Sequence, residues 1–480
     1  MLYDKLVEVH LHNDTSVFED DQHHFTYAQI HEKTMRFSAY LTGLRLKGTV
    51  VIVSNNSMAS CIAILSSIAC GLCYSVVHDT ILEDRKRHIL KNSDACLIIG
   101  ENPSWAAETD VPFLSHHAIW NADECPSYVR ELVPDEANAY ILYTSGSTAH
   151  PKGVLAAQKQ VIFSVTAINS VLKNTRADRI WNCLPLSFDY GMYQLFLALD
   201  SEASFYISNQ PIIPMIPHIL SEKKITGFPV VPSMLGMMLR SRLLPRISGI
   251  SLRYICSTGD ALPVEWIIET EKTLPGTIVV PMYGITECKR VAIMPLEDTR
   301  KKYAGSCGLP LPGIDICIDR KGSEDFGELV VYGPNVMKGY WKDPEGSRAC
   351  FGFDPERNQP FLRTGDIFRI DEDGYLYFVG RKSQFIKCNG YRISGNEIDA
   401  HLMQTVHGVL ECCTIGIPHN QMGQQIVTII SGAPDQNELN RSINQLPQYM
   451  RPHRLILQEL PLPKNANGKI DKRKIREIVM

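Results

Sequence analysis

The chain reads as an α/β protein. A large N-terminal part holds two α/β sheet subdomains and a small β-subdomain, and a small, mobile α+β domain follows it. Three observations predict this. Short apolar runs at residues 50–53, 73–77, 95–99 and 139–143 alternate with helical patterns, which implies largely parallel sheets covered on both faces. From Gly308 the texture changes to short alternating strands and turns, at residues 315–319, 327–332, 368–370 and 375–379. After Gly380 and Arg381 a polar stretch, Lys382-Ser383-Gln384, leads into about 100 residues, enough for an independent domain. The division is therefore expected between residues 1–381 and 382–480.

Taken in order, residues 25–30 open a helix with Thr26 as its N-cap. Residues 59–77 have the length of a membrane span. Serines and a glycine dilute them, no basic cluster flanks them closely, and a strand precedes them, so the better parse is strand, helix, strand. Residues 103–136 read as irregular. Helices are expected at 158–172, 192–199 and 395–404, and Asp371-Glu-Asp-Gly374 is a hairpin turn signal. A formal charge of −4 gives no reason to expect nucleic acid or an anionic membrane as partner. Fourteen cysteines without regular spacing, and no secretory leader in the opening residues, point to a reducing cytoplasm. Cys70 and Cys73 form a C-x-x-C inside an apolar stretch and read as buried structural thiols ahead of a redox pair.

The chemistry gathers around Tyr-Thr-Ser-Gly-Ser-Thr-Ala-His-Pro-Lys-Gly-Val, residues 143–154. A buried strand runs into it. Gly146 allows close approach of backbone to an anion, Thr144, Ser145, Ser147 and Thr148 add hydroxyl donors, and Lys152 supplies a point charge. This is a polyphosphate clamp by composition. It lacks the G-x-x-x-x-G-K-[ST] spacing of a P-loop, and a plain Ser/Gly surface turn has the same composition. Asp189 sits where an apolar strand runs out, either facing a ligand or capping the helix that follows. Tyr283 before Gly284 can stack on a base, and Thr286 with Glu287 can meet phosphate and Mg²⁺. Asp366 beside Gly365 is a candidate clasp for a ribose diol, or only a turn aspartate. Lys469 follows a glycine in a C-terminal loop, where a lysine is ordinarily solvated.

Together these segments resemble the AMP-forming adenylating enzymes: acyl-CoA synthetases, adenylation domains of nonribosomal peptide synthetases, and luciferase. The likeness runs from Phe-Thr-Tyr-Ala-Gln-Ile at residues 25–30 to Asn-Gly-Lys-Ile-Asp at residues 467–471. It implies that a carboxylate attacks the α-phosphate of ATP, giving an acyl-adenylate and pyrophosphate, after which a pantetheine thiol displaces AMP. By the resemblance, Thr144, Ser145, Gly146, Ser147, Thr148 and Lys152 would hold the outer phosphates. Tyr283 and Gly284 would meet adenine, with Gly259 and Asp260 lining that pocket. Thr286 would contact the α-phosphate and Glu287 a Mg²⁺. Asp366 would hold the ribose, Arg381 would support the nucleotide near a hinge, and Lys469 would bridge carboxylate and α-phosphate. Phe188 matches the aromatic residue that gates the substrate carboxylate. The family's small domain alternates between two poses. Ala149, Pro281 and Ser383 depart from the family's usual glycine, polar and acidic residues.

The resemblance also suggests a substrate. Asp189 coincides with the aspartate that holds the ammonium in amino-acid-activating members, and a buried carboxylate calls for a cation. The corresponding cavity residues are Asp189, Tyr190, Tyr193, Pro229, Cys256, Thr258, Met282, Arg290 and Val291. Two aromatics imply a shallow cavity and a small substrate. Arg290, directly after Lys289, wants an anion if it faces inward, which suggests an acidic or β-amino acid; otherwise one or both cations face solvent or pair structurally. The acceptor would be a separate carrier protein, or CoA if the acid is an acyl or aryl acid without an amino group.

Overall fold

The computed structural model describes all residues except 1, 108, 123–127, 129, 145–150, 210, 248–250, 298–304, 321–324, 383–384, 390 and 465–469. Among the described residues, four sheets organise the chain. The first is seven-stranded, in the order Gly339–Tyr340, Lys152–Ala157, Asn138–Thr144, Tyr74–His78, Thr49–Ser54, Ala95–Gly100, Phe113–Ser115. Its strands from Asn138–Thr144 onward are parallel, while the clamp strand Lys152–Ala157 returns antiparallel. The second is nine-stranded, and its central strands Ser204–Ile207, Arg179–Asn182, Gly227–Val230, Tyr254–Ser257 and Ile278–Ile285 are parallel. Consecutive apolar residues in such strands follow from burial on both faces; Thr49–Ser54 and Tyr254–Ser257 are buried throughout.

Helices fill the space between these sheets. Gln158–Leu172 touches strands of both, and Asp189–Asp200 packs on it. Met58–Ala69 is buried at every position, as an all-round apolar helix must be. Its Ser57 N-cap accepts from Ser60 N, and strand Tyr74–His78 follows, so the segment lies inside the protein; among the described residues no helix is long and apolar enough to cross a membrane. Tyr27–Gly43 begins with a capping box, Thr26 and Gln29 satisfying each other's backbone N–H groups.

The third sheet is the small β-subdomain, built on Asp315–Arg320, Phe326–Tyr332, Gln359–Ile370 and Leu376–Arg381. The short strand expected at 368–370 is the end of the twelve-residue Gln359–Ile370, which carries Asp366 in mid-strand. The fourth sheet pairs Tyr391–Ile393, Ile386–Cys388, Gly423–Gly432 and Val409–His419, with Arg454–Gln458 alongside. Separate apolar clusters cover its two faces, one around Ile398, Leu402 and Ile430, the other around Ile415, Val427 and Ile475. Residues 103–136, read as irregular, contain the short elements Pro103–Trp105, Phe113–Ser115 and His117–Trp120.

Candidate active site

Strand Asn138–Thr144 delivers the clamp. Thr144 pairs with Lys152 across a hairpin whose tip, with Ser145, Gly146, Ser147, Thr148 and Ala149, lies outside the described residues. Lys152 Nζ donates to Asp343 Oδ2 at 2.8 Å and sits 4.7 Å from the centre of the Tyr340 ring. That ammonium holds the Asp343 carboxyl below its ordinary value.

Glu287 lies at the tip of a second hairpin, Ile278–Ile285 returning as Lys289–Ile293. Gly284 is required there: a Cβ would come 2.0 Å from Lys289 O. Thr286 is half-buried in the turn, and Glu287 Oε1 accepts from Tyr340 OH at 2.8 Å. Tyr283, on the outgoing strand, donates to Asp366 Oδ2 at 2.8 Å, while Arg381 Nε lies 3.0 Å from Asp366 Oδ1. The Tyr283 ring meets Phe368 edge-on at 4.5 Å. Asp366 is 2% exposed, and its charge is matched by Arg381. Two residues from two sheets, Tyr283 and Arg381, thus converge on one carboxylate. Gly259, at φ +102°, and the exposed Asp260 end the neighbouring strand Tyr254–Ser257.

A narrow cavity, with room for about one water, opens beside the return strand and is lined by Asp189, Tyr190, Tyr193, Cys256, Met282, Lys289 and Arg290, among others. Pro229 and Thr258 are buried nearby but do not line it. Phe188 is the N-cap residue of helix Asp189–Asp200 and meets Tyr190 edge-on. Asp189 is the first helical residue and makes no capping bond, so the capping role considered for it is not the one it takes. Its carboxylate instead faces Lys289 Nζ at 3.5 Å.

Lys289 is the residue the sequence did not single out. Its ammonium is held between the rings of Tyr193 (4.5 Å) and Tyr140 (4.9 Å), whose hydroxyls bond each other at 3.1 Å. It has no hydrogen-bond partner among the described residues, and burial pulls it down to about 8 against the pull of Asp189. Arg290 stacks on Tyr190 at 4.6 Å. Successive residues of a regular strand face opposite ways. Lys289 takes φ +58°, which breaks the alternation and lets both cations line one cavity. The Tyr190 hydroxyl donates to Cys256 O at 2.8 Å, and burial pushes the Cys256 thiol up to about 11.

Lys469 lies outside the described residues, but the root of its loop does not. Lys464 and Ile470 bridge antiparallel, Lys464 Nζ pairs with Glu411 at 2.8 Å, and Glu411 also accepts from Leu462 N. Ser383 is likewise not described. Beside it, Lys382 Nζ donates to Glu328 Oε2 at 2.9 Å, and Ser394 Oγ donates to Val379 O across to the next sheet. Pro281 lies in strand Ile278–Ile285 with its carbonyl accepting from Met294 N.

The family of AMP-binding enzymes matches residues 7–341, and the C-terminal domain of AMP-binding enzymes matches residues 397–469. The chain belongs to this family. A probable CoA ligase of Humulus lupulus is 30% identical over 385 residues, covering 72% of this chain and 62% of its own length. A D-alanine–D-alanyl carrier protein ligase of Listeria monocytogenes is 28% identical over 462 residues, 90% of this chain and 89% of that protein. Among solved structures, that of VinN in complex with L-aspartate is 30% identical with a TM-score of 0.71, covering 79% of this chain and 98% of VinN. The first of these relatives is longer: the chain spans under two thirds of it.

Proposed function

We propose that this chain activates a small carboxylic acid with ATP, forming an acyl-adenylate and pyrophosphate, and then passes the acyl group to a pantetheine thiol. The substrate read here is a small amino acid with a second acidic group. The observation that carries it is the cavity beside Met282, in which one buried carboxylate, Asp189, faces buried Lys289 and a second buried cation, Arg290, shares the lining. With Lys289 protonated, the cavity has one positive charge in excess. A second carboxylate on the substrate neutralises it. The 3.5 Å separation of Lys289 from Asp189 leaves the carboxylate able to accept a substrate ammonium as well. VinN, solved with L-aspartate, supports the same class of acid.

At the nucleotide end, Tyr283 stacks adenine, Asp366 takes the ribose hydroxyls and Arg381 balances its charge. Thr144, Ser145, Ser147, Thr148 and Lys152 hold the outer phosphates. The fit of Mg²⁺ rests on donor type: Glu287 presents a hard oxygen at a half-buried turn, and Mg²⁺ is ordinarily held by one or two carboxylates plus substrate phosphates. Glu287 would hold it, and bound Mg²⁺ neutralises phosphate charge. Lys469 places a cation where charge builds as carboxylate meets α-phosphate, which favours the transition state most in a site closed to water. Closure is assigned to the domain of residues 382–480 turning about the segment next to Arg381. The pantetheine thiol of a carrier protein is the acceptor.

A second reading has its own support. Because Lys289 already pairs with Asp189, no substrate ammonium is needed to neutralise that carboxylate. A non-amino acid, loaded onto CoA, then fits. Exchange of labelled pyrophosphate into ATP, run over matched panels of amino and non-amino acids with one or two carboxylates, separates the readings. Aspartate-like acids should exchange best. Best exchange by dicarboxylic acids lacking an amino group, with thioester formed on CoA, selects the second reading; no exchange with any acid discards both.

A further inference from the structure

The segment from Asn335 to Ser347 touches both halves of the ATP end. Asn335 Nδ2 donates to Cys288 O and Met337 N donates to Glu287 O, so its first part is stitched to the acidic turn. Strand Gly339–Tyr340 then pairs with the clamp strand, and Trp341 N donates to Gly153 O. Between these anchors stands Tyr340. Its hydroxyl donates to Glu287 Oε1 at 2.8 Å, and its ring lies 4.7 Å beneath the Lys152 ammonium. Three residues on, Asp343 caps helix Pro344–Cys350 with Oδ1 and receives Lys152 with Oδ2. Gly346 leaves room for that contact, since a Cβ there would stand 2.2 Å from Asp343 Oδ2 and 2.7 Å from Lys152 Nζ.

We propose that Tyr340 is a positioning residue for the metal-nucleotide: its hydroxyl orients the Glu287 carboxylate and its ring seats Lys152, so one side chain sets the spacing between the metal-binding anion and the phosphate-binding cation. The inference rests on the adenylating reading above. It separates two contributions that a deletion of either charge would blur. The hydroxyl acts only through Glu287 and therefore only when Mg²⁺ is present. The ring acts through Lys152 and therefore on ATP with or without metal.

The test is calorimetric titration of the full chain with ATP, in Mg²⁺ and in EDTA, for wild type, Tyr340→Phe and Tyr340→Leu, with thermal melts recording folding. Tyr340→Phe should weaken ATP binding about tenfold in Mg²⁺, the worth of one hydrogen bond to a charged group. In EDTA its affinity should be unchanged. Tyr340→Leu should weaken binding in both. Glu287→Gln is the second route: Tyr340→Phe added to it should cost nothing further in Mg²⁺. Equal affinity of Tyr340→Phe and wild type in Mg²⁺, or an equal loss with and without metal, overturns the inference alone. Wild type that binds no ATP in Mg²⁺ overturns the adenylating reading and this inference with it.

Discussion

The two ends of the cavity system are built on opposite principles. At the nucleotide end, Asp366, Tyr283 and Arg381 bond one another at 2.8 and 3.0 Å, so each polar group has a protein partner. At the acid end, Asp189 and Lys289 stand 3.5 Å apart, and the ammonium rests on tyrosine faces instead of hydrogen bonds. The first arrangement suits the proposed nucleotide, a ligand common to every reaction. The second stores unsatisfied charge that a particular acid can complete. Common machinery is rigid, and discrimination is left to a group whose needs are only partly met.

This contrast can be broken most forcefully at Asp366. Asp366→Ala strips Tyr283 and Arg381 of their shared acceptor, and two charge-assisted hydrogen bonds are worth enough to cut pyrophosphate exchange about 100-fold or more. The loss should be the same for every acid; a loss confined to some acids would move Asp366 to the other end of the site. Arg290→Ala comes next. It should lower kcat/KM about 10- to 100-fold for acids with a second carboxylate and leave monocarboxylic acids within about twofold. Uniform loss across the acid panel would show that Arg290 serves structure, not selection.

The smallest effect is in pH. Between pH 7 and 9 Lys289 passes through about 8 and sheds its charge, so preference for a second carboxylate should fall a few-fold, the worth of one partly screened charge. Lys289→Met should show a flat profile over that range. The sign for folding is the reverse. The folded chain releases this proton below the ordinary lysine value of 10.5, so the unfolded chain binds more protons between about 8 and that value. The burial penalty of Lys289 is therefore fully present below pH 8 and is relieved as pH rises.

Local signals made much of the fold legible. Helix Gln158–Leu172 and the N-cap at Thr26 are written in periodicity and side-chain type, and they fold as read; the reciprocal Gln29 bond comes from the structure. Residues 103–136 were not legible, because their elements have three or four residues and are held by distant partners: Trp120 stacks on His23 at 4.3 Å, and Trp105 Nε1 donates to Asp79 O. The site divides the same way. Residues inside contiguous motifs, such as Tyr283 and Glu287, could be found by reading along the chain. Lys289 could not be assigned inward, since its direction depends on a left-handed backbone angle at that residue. Tyr340 escaped notice because its partners lie 53 and 188 positions away; the aromatic-rich Gly-Tyr-Trp at residues 339–341 was the available signal.

Hairpin Ile278–Ile293 has a practical consequence for redesign. Its outgoing strand carries Tyr283, its tip Glu287, and its return Lys289 and Arg290. An exchange at residues 289 and 290 alone that lost the left-handed angle of Lys289 would turn the two side chains to opposite faces and disturb the Glu287 turn beside them. Splice points belong outside the whole hairpin, so that Lys289 and Arg290 travel with Tyr283 and Glu287 as one cassette.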